Sequence, residues 1–164
     1  MDNCIIHPLS QVASKNIGEG TRIWQFSIIL PGAVIGKGCN INCHTFIEDD
    51  VVLGDRVTVK SGIYLWNGIQ IADDVFLGPN VTFVNDKYPR SKKYPEKFQR
   101  TVIEKFASIG ASSTILGGIT IGEYAMIGAG SLVTRNIPPF ALVLGSPAKI
   151  VGTVDEFGEV IKRF

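Results

Sequence analysis

The chain has 164 residues, 45% of them hydrophobic and 19% charged, with a net charge of +1. That length suits one domain with a short tail, and the charge balance excludes a global field favouring nucleic acid or membrane. Cys4, Cys39 and Cys43 share no CxxC spacing, so neither a disulfide frame nor a zinc site is indicated.

The opening MDNCIIHP has neither the basic nor the apolar region of a secretory leader. No apolar run reaches the roughly 18 residues of a membrane span. The expectation is a cytoplasmic protein with reduced thiols.

From Ile5 onward a branched aliphatic recurs every six residues. The series runs Ile5, Gln11, Ile17, Ile23, Ile29, Ile35, Ile41, Ile47, Leu53, Val59, Leu65, Ile71, Leu77, Phe83. It resumes at Ile103 and continues through Ile109, Ile115, Ile121, Ile127 and Val133. Only Gln11 among these is not apolar. A period of six matches neither a helix nor an alternating strand. It matches a chain that turns a corner every six residues and returns above itself after three.

Other hexad positions agree. Gly often follows the aliphatic, as at Gly18, Gly36, Gly54, Gly78, Gly110, Gly122 and Gly128. Four residues beyond it the side chain is small or β-branched, as at Thr21, Ser27, Ala33, Cys39, Thr45 and Val51. Large residues then fill the faces of a narrow triangular prism and small ones its corners. Gly38, Asn40, Asp49, Asp55, Asn67 and Asp73 are expected near corners, where positive φ is tolerated. The hexads predict six to seven coils, stacked about 4.8 Å apart.

Residues 84 to 102 leave the repeat. Pro89 and Pro95 cannot serve in a central ladder, so a loop of about 85–101 must project outward. Between Asp86 and Arg100 its net charge is +4, which suits a phosphorylated small ligand. Residues eighteen apart stack, so Asp49, Asn67 and Asn85 share one corner column, with Trp66 beside it. Asp86 and Arg90 add a carboxylate and a guanidinium near the loop base. The prism with its loop occupies 1–150. The tail, 151–164, reads as a short helix, from a capping-box pattern at Thr153–Glu156 and an apolar stripe of Val154, Phe157, Ile161 and Phe164.

Histidine is scarce. A γ-type carbonic anhydrase shares such a prism but needs three histidines for zinc, and only His7 and His44 are present. His44 is a candidate for binding or proton transfer, or else a surface turn residue. No activated Cys or Ser–His pair is evident. O-acetyltransferases built on such a repeat typically use a histidine to deprotonate a hydroxyl, whereas an amine, partly neutral at pH 7, needs less help; a resemblance to that family would therefore imply N-acylation over O-acylation.

The hexads, the proline-bearing loop and the closing Gly145-Ser-Pro-Ala-Lys149 resemble the hexapeptide-repeat acyltransferases. Gly20–Phe26, Thr82–Ser91 and the segments from Ile109 to Lys149 are similar to nucleotide-sugar 3-N-acetyltransferases acting on dTDP-3-amino-3,6-dideoxyhexoses. Gln25 departs from the His often found in relatives acting on UDP sugars.

The resemblance implies an all-β, left-handed parallel β-helix, a homotrimer with active sites between subunits, acetyl-CoA as cosubstrate and no metal. It implies that Asn85 holds the sugar near its amine, with Asp86 as partner. Arg90 would face the diphosphate. Trp66, Asn67, Phe83 and Tyr94 would bind substrate. Gly110, Ala111, Gly128 and Ala129 would offer backbone to the pantetheine, and Lys149 and Lys162 would meet coenzyme A phosphates. The rival readings are a sugar O-acetyltransferase of the same fold and a non-catalytic β-solenoid scaffold.

Overall fold

The computed structural model describes residues 3–164. From Ile5–Ile6 to Leu132–Val133 its strands, mostly two residues long, visit three sheets in strict rotation. These sheets form the walls of a prism: a long face of ten strands, a middle face of seven and a short face of six. Along the prism wall each strand pairs in parallel with the strand one turn away, typically eighteen residues on, as in Thr58↔Phe76 and Tyr64↔Thr82.

The second residue of a typical strand points inward, so the six-residue aliphatics stack into a continuous core. Ile29, Ile41, Ile47, Val59, Leu65, Leu77, Ile109 and Ile115 are each 0% exposed. The small corner residues are buried with them, including Thr21, Ser27, Ala33 and Val51, each at 0%. Positive φ falls three residues after the inward aliphatic, at Phe26, His44, Arg56, Asp74 and Asn80 as well as at Gly20 and Gly38. It is therefore one residue beyond the Asp55 and Asp73 expected from sequence. The corner's geometry selects the position, and bulky residues accept the left-handed conformation there.

Gln11 has a simple explanation. In the first coil Ile6 pairs with Ile23 and Val12 with Ile29, a step of one residue less than later coils. Val12, not Gln11, occupies the inward position, and Gln11 is exposed beside Ile28. The repeat is intact there but shifted by one.

At the other end the coil continues past the last hexad. Ile137 bridges Ile121 in parallel, and the strand Ala141–Leu144 pairs with Met126 and Ile127. The steps are short by two because the corner from Val133 to Ile137 takes four residues instead of six, so a scan at period six stops at Val133. The solenoid accordingly has about eight turns on its long face rather than six to seven.

The tail is not a helix. Lys149–Val154 and Val160–Arg163 form antiparallel strands that extend the long face from Ala141–Leu144. Asp155 Oδ1 accepts the N–H groups of Phe157 and Glu159 at 2.9 and 2.8 Å, and Gly158 adopts φ +83°. An Asp-centred turn therefore replaces the expected cap. Val154 is buried, but Phe157, Ile161 and Phe164 are exposed, so no helical stripe forms. The unpaired backbone of the last rung prefers a strand partner to a helix.

Charged residues tie the rungs together at the corner between the short and long faces. Arg56 donates to both carboxylate oxygens of Asp74 at 2.7 Å. Asp73 Oδ1 accepts the Asp55 N–H at 3.0 Å, and Lys105 Nζ lies 3.2 Å from Asp73 Oδ2. The Asp55 N–H, then Lys105, hold the Asp73 carboxyl below its ordinary 3.8.

Candidate active site

The one long insertion leaves the corner between the middle and short faces. Ile71 pairs with Ile103 and Phe83 with Ile115, so fourteen residues are added to a regular turn. The loop links Thr82–Phe83 on the middle face to Thr101–Ile103 on the short face. Below it on the same corner lie Asn67 and Asp49; above it lie Gly117 and Arg135.

This corner is built by polar side chains satisfying the turn backbone. Glu48 Oε2 accepts the Asn67 N–H at 2.6 Å, and Asp50 Oδ1 accepts the Gly68 N–H at 2.7 Å. Asn67 Oδ1 accepts the Asp50 N–H at 3.2 Å. One rung up, Asn85 Nδ2 donates to the Asn67 carbonyl at 3.0 Å, as the eighteen-residue stacking required. That bond occupies the donor end of the amide and directs Oδ1 away from Asn67. A group so placed can accept a hydrogen bond from an amine. Asp86 Oδ1 accepts the Tyr88 N–H at 2.9 Å, starting the loop with an Asx turn.

Two hollows flank the corner. On the short-face side, a cleft of about 490 Å³ is lined by Asp49, Asp50, Asn67, Gln70, Lys97 and Arg100, among others. Arg100 hydrogen-bonds Gln70 on its floor. On the middle face, a shallower pocket of about 160 Å³ is lined by Tyr64, Trp66, Asn80, Thr82 and Phe83. Trp66 packs against Phe46 and Tyr64 with ring centroids 5.6 and 5.9 Å apart. Phe83 itself is only 2% exposed and supports the floor from the core. Arg90 and Tyr94 stand at the loop's exposed tip, where Arg90 donates to the Pro89 carbonyl and Tyr94 is 85% exposed.

The remaining sequence-selected residues occupy other places. Gly110, Ala111, Gly128 and Ala129 lie at the corner between the long and middle faces. His44 shares that corner, lower down, where its ring stacks on Phe26 at 5.1 Å. One middle-face hexad, roughly 15–20 Å of extended chain, separates this corner from Asn85. Lys149 lines a cleft of about 340 Å³ with Arg135 and Asn136 on the last turn. Lys162 sits in the final strand, its Nζ 5.2 Å from the Phe164 ring centroid.

Sequence reasoning passed over Glu48, Phe46, Tyr64 and Arg135. The signal was available: Phe46, Tyr64 and Thr82 are eighteen apart, and Arg135 is eighteen beyond Gly117.

Burial raises the Cys39 thiol above its ordinary 9.0, and Cys39 is 1% exposed. Among the described residues no group of three or more His, Cys, Asp or Glu side chains is arranged to hold a metal ion. Among the described residues no helix is long and apolar enough to cross a membrane.

The family profile described as "Bacterial transferase hexapeptide (six repeats)" matches residues 14–49 and 100–135, the two stretches flanking the loop-bearing turns. A dTDP-3-amino-3,6-dideoxy-alpha-D-galactopyranose 3-N-acetyltransferase of Aneurinibacillus thermoaerophilus is 60% identical over 153 residues, which is 93% of this chain and 80% of the relative. The chain belongs to the hexapeptide-repeat acyltransferases. Among solved structures, a hexapeptide-repeat acetyltransferase from Vibrio cholerae O1 biovar eltor, complexed with acetyl coenzyme A, is 26% identical with TM-score 0.60. It is matched over 83% of this chain and 72% of its own. A perosamine N-acetyltransferase variant from Caulobacter crescentus, bound to CoA and GDP-perosamine, shares the fold at 23% identity and TM-score 0.64. The match spans 92% of this chain and 57% of that one.

Membership explains why the hexapeptide acyltransferase chain is so regular away from its loop. Between the shortened first and last turns, the loop is the one departure from the eighteen-residue step.

Proposed function

We propose that this acyltransferase transfers an acetyl group from acetyl-CoA to the 3-amino group of a dTDP-3-amino-3,6-dideoxyhexose. The observation that carries this reading is the 60% identity, over 93% of the chain, to an enzyme named for that activity. The match to the galacto-configured relative makes that sugar the first substrate to test. Such a reaction would place the protein in the cytoplasm.

The amine nitrogen attacks the thioester carbonyl carbon, a C–N bond forms, the C–S bond breaks, and coenzyme A leaves as thiolate. The amine's surplus proton passes to the thiolate or to solvent. Asn85 Oδ1 accepts a hydrogen bond from the amine and aligns its lone pair, with Asp86 close by in the chain. Asn85 cannot act as a base, because an amide does not take a proton at neutral pH. Its contribution is orientation, which a rigid corner supplies well. Trp66 with Tyr64 offers an aromatic wall for the base or hexose, and the basic loop tip bearing Arg90 suits the diphosphate.

The reading also takes the prism to be left-handed and the enzyme to be a homotrimer. Asn85 and the Gly110–Ala111, Gly128–Ala129 corner lie at opposite edges of the middle face, too far apart for one acetyl thioester to touch both. Two copies set side by side bring one chain's loop corner to its neighbour's glycine-rich corner, completing a site between subunits.

The deciding experiment is a thiol-release assay across a panel of dTDP-linked amino sugars, with hydroxylamine treatment of the product. An amide survives hydroxylamine and an ester does not. A hydroxylamine-labile product, or no thiol release with any 3-amino sugar, overturns the reading.

A further inference from the structure

The loop's neck holds a buried polar atom that the proposed chemistry leaves unused. Gln99 Oε1 is buried and lacks a hydrogen-bond partner. Buried acceptors are normally satisfied, and an exception calls for a physical reason. Here the residue is otherwise firmly placed. The Gln99 N–H donates to the Asn85 carbonyl at 3.3 Å, closing the neck between the loop's two limbs.

Glycines shape the space around it. A Cβ on Gly117, one rung above, would lie 2.8 Å from Gln99 Oε1, 2.8 Å from the Val84 carbonyl oxygen and 3.4 Å from Asn85 Cα. A Cβ on Gly68, one rung below, would lie 2.7 Å from the Gln99 carbonyl oxygen. Gly68 also has φ +92°. The two limbs thus leave the wall through a slot floored by Gly68 and roofed by Gly117. Gln99 fills that slot against the backbone that carries Asn85.

We propose that Gln99 is a positioning residue: its backbone rests over Gly68, its side chain packs beneath Gly117 and Gly118, and together they prop the loop neck and so fix Asn85 for the amino sugar. The proposal rests on the reading of Asn85 as the residue that holds the sugar. Its amide oxygen is sealed beneath the next rung, out of reach of substrate. The unpaired acceptor is tolerated because a side chain of this length and shape is needed to occupy the slot.

The test is a kinetic cycle on the full chain with a dTDP-3-amino-3,6-dideoxyhexose and acetyl-CoA. Gln99→Ala empties the slot and should raise KM for the amino sugar about tenfold, given how steeply rate and binding depend on placement, while KM for acetyl-CoA stays within about twofold. Gln99→Met refills the slot without the amide and should restore most of that loss. In an Asn85→Ala background, Gln99→Ala should add little, because both act through one contact.

A Gln99→Ala enzyme with a lowered Tm but unchanged KM for the sugar overturns the proposal. So do fully additive losses in the double variant, or a Gln99→Met enzyme no better than Gln99→Ala. Wild-type behaviour of Asn85→Ala alone overturns the sugar-holding reading, and the positioning role with it. An impaired Asn85→Ala beside a normal Gln99→Ala overturns only the latter.

Discussion

The side-chain amide of Asn85 donates to the backbone carbonyl of Asn67, 3.0 Å away and one rung below. The two residues are eighteen apart, so the contact is written by the coil's period. It anchors the amide nitrogen to the wall; under the proposed reading the oxygen accepts from the amino sugar. Asn85→Ala should therefore lower kcat/KM for the amino sugar by about 10- to 100-fold, the scale of one positioned hydrogen bond at a reacting centre. Its Tm should fall only slightly, since one partly exposed hydrogen bond contributes about 1 kcal/mol. Steady-state kinetics beside thermal denaturation checks both halves.

A site shared between subunits makes a stronger demand. Ala129 is exposed at the glycine-rich corner, so Ala129→Trp should block the pantetheine path without disturbing the core. Asn85→Ala and Ala129→Trp should each be nearly inactive alone. Co-assembled at equal amounts, they should regain about a quarter of wild-type activity, because that share of interfaces pairs two intact halves in a cyclic trimer. Sites contained within one chain would show no recovery. Sedimentation should find particles of three times the 17.8 kDa chain mass.

At the last turn, Arg135 and Lys149 line one cleft. Arg135→Ala and Lys149→Ala should each raise KM for acetyl-CoA by roughly 3- to 10-fold, consistent with losing one charge-assisted contact. KM for the amino sugar should not change. Removing the 3′-phosphate from the donor should give a similar loss in wild type and no further loss in the variant that contacts it.

The glycine column Gly18, Gly36 and Gly54 sets a steric limit on the wall. A Cβ on Gly36 would lie 2.3 Å from the Gly54 carbonyl oxygen, which belongs to backbone that cannot move aside. Gly36→Ala should destabilise the fold by about 1–3 kcal/mol or more through overpacking, read as a lower denaturation midpoint.

Asp73 gives a pH signature. Its folded carboxyl titrates below its ordinary 3.8 because it accepts the Asp55 N–H and pairs with Lys105. A depressed carboxyl contributes stability above its unfolded pKa and loses it as pH falls through the folded one. The stability difference between wild type and Asp73→Asn should thus be constant near neutrality and shrink below about pH 4. Urea denaturation across that range measures it.

Much of this molecule is legible in its residues because a solenoid is nearly one-dimensional. Each coil packs on itself and on the coils directly above and below, so a local period specifies contacts across the whole prism. Ile41, Val59 and Leu77 stack because they are eighteen apart, and Asn85 finds Asn67 for the same reason. The loop was legible as the place where that rule fails. Where the step length changes, the period misleads: Gln11 stands out because the first coil is one residue shorter, and the turn through Ile137 falls outside the period because the corner after Val133 is two residues shorter.

Tertiary structure alone decided the rest. Val154, Phe157, Ile161 and Phe164 carry helical spacing, yet the open edge of Ala141–Leu144 offered unpaired backbone groups that a strand could satisfy and a helix could not. The slot around Gln99 is likewise invisible in sequence, since Gly68, Gln99 and Gly117 meet only once fourteen inserted residues have looped out and returned. Local periodicity determines which side chains face inward and which stack. Which edges remain to be capped, and which backbone crowds a loop's neck, depends on where the coil ends and where the chain re-enters it.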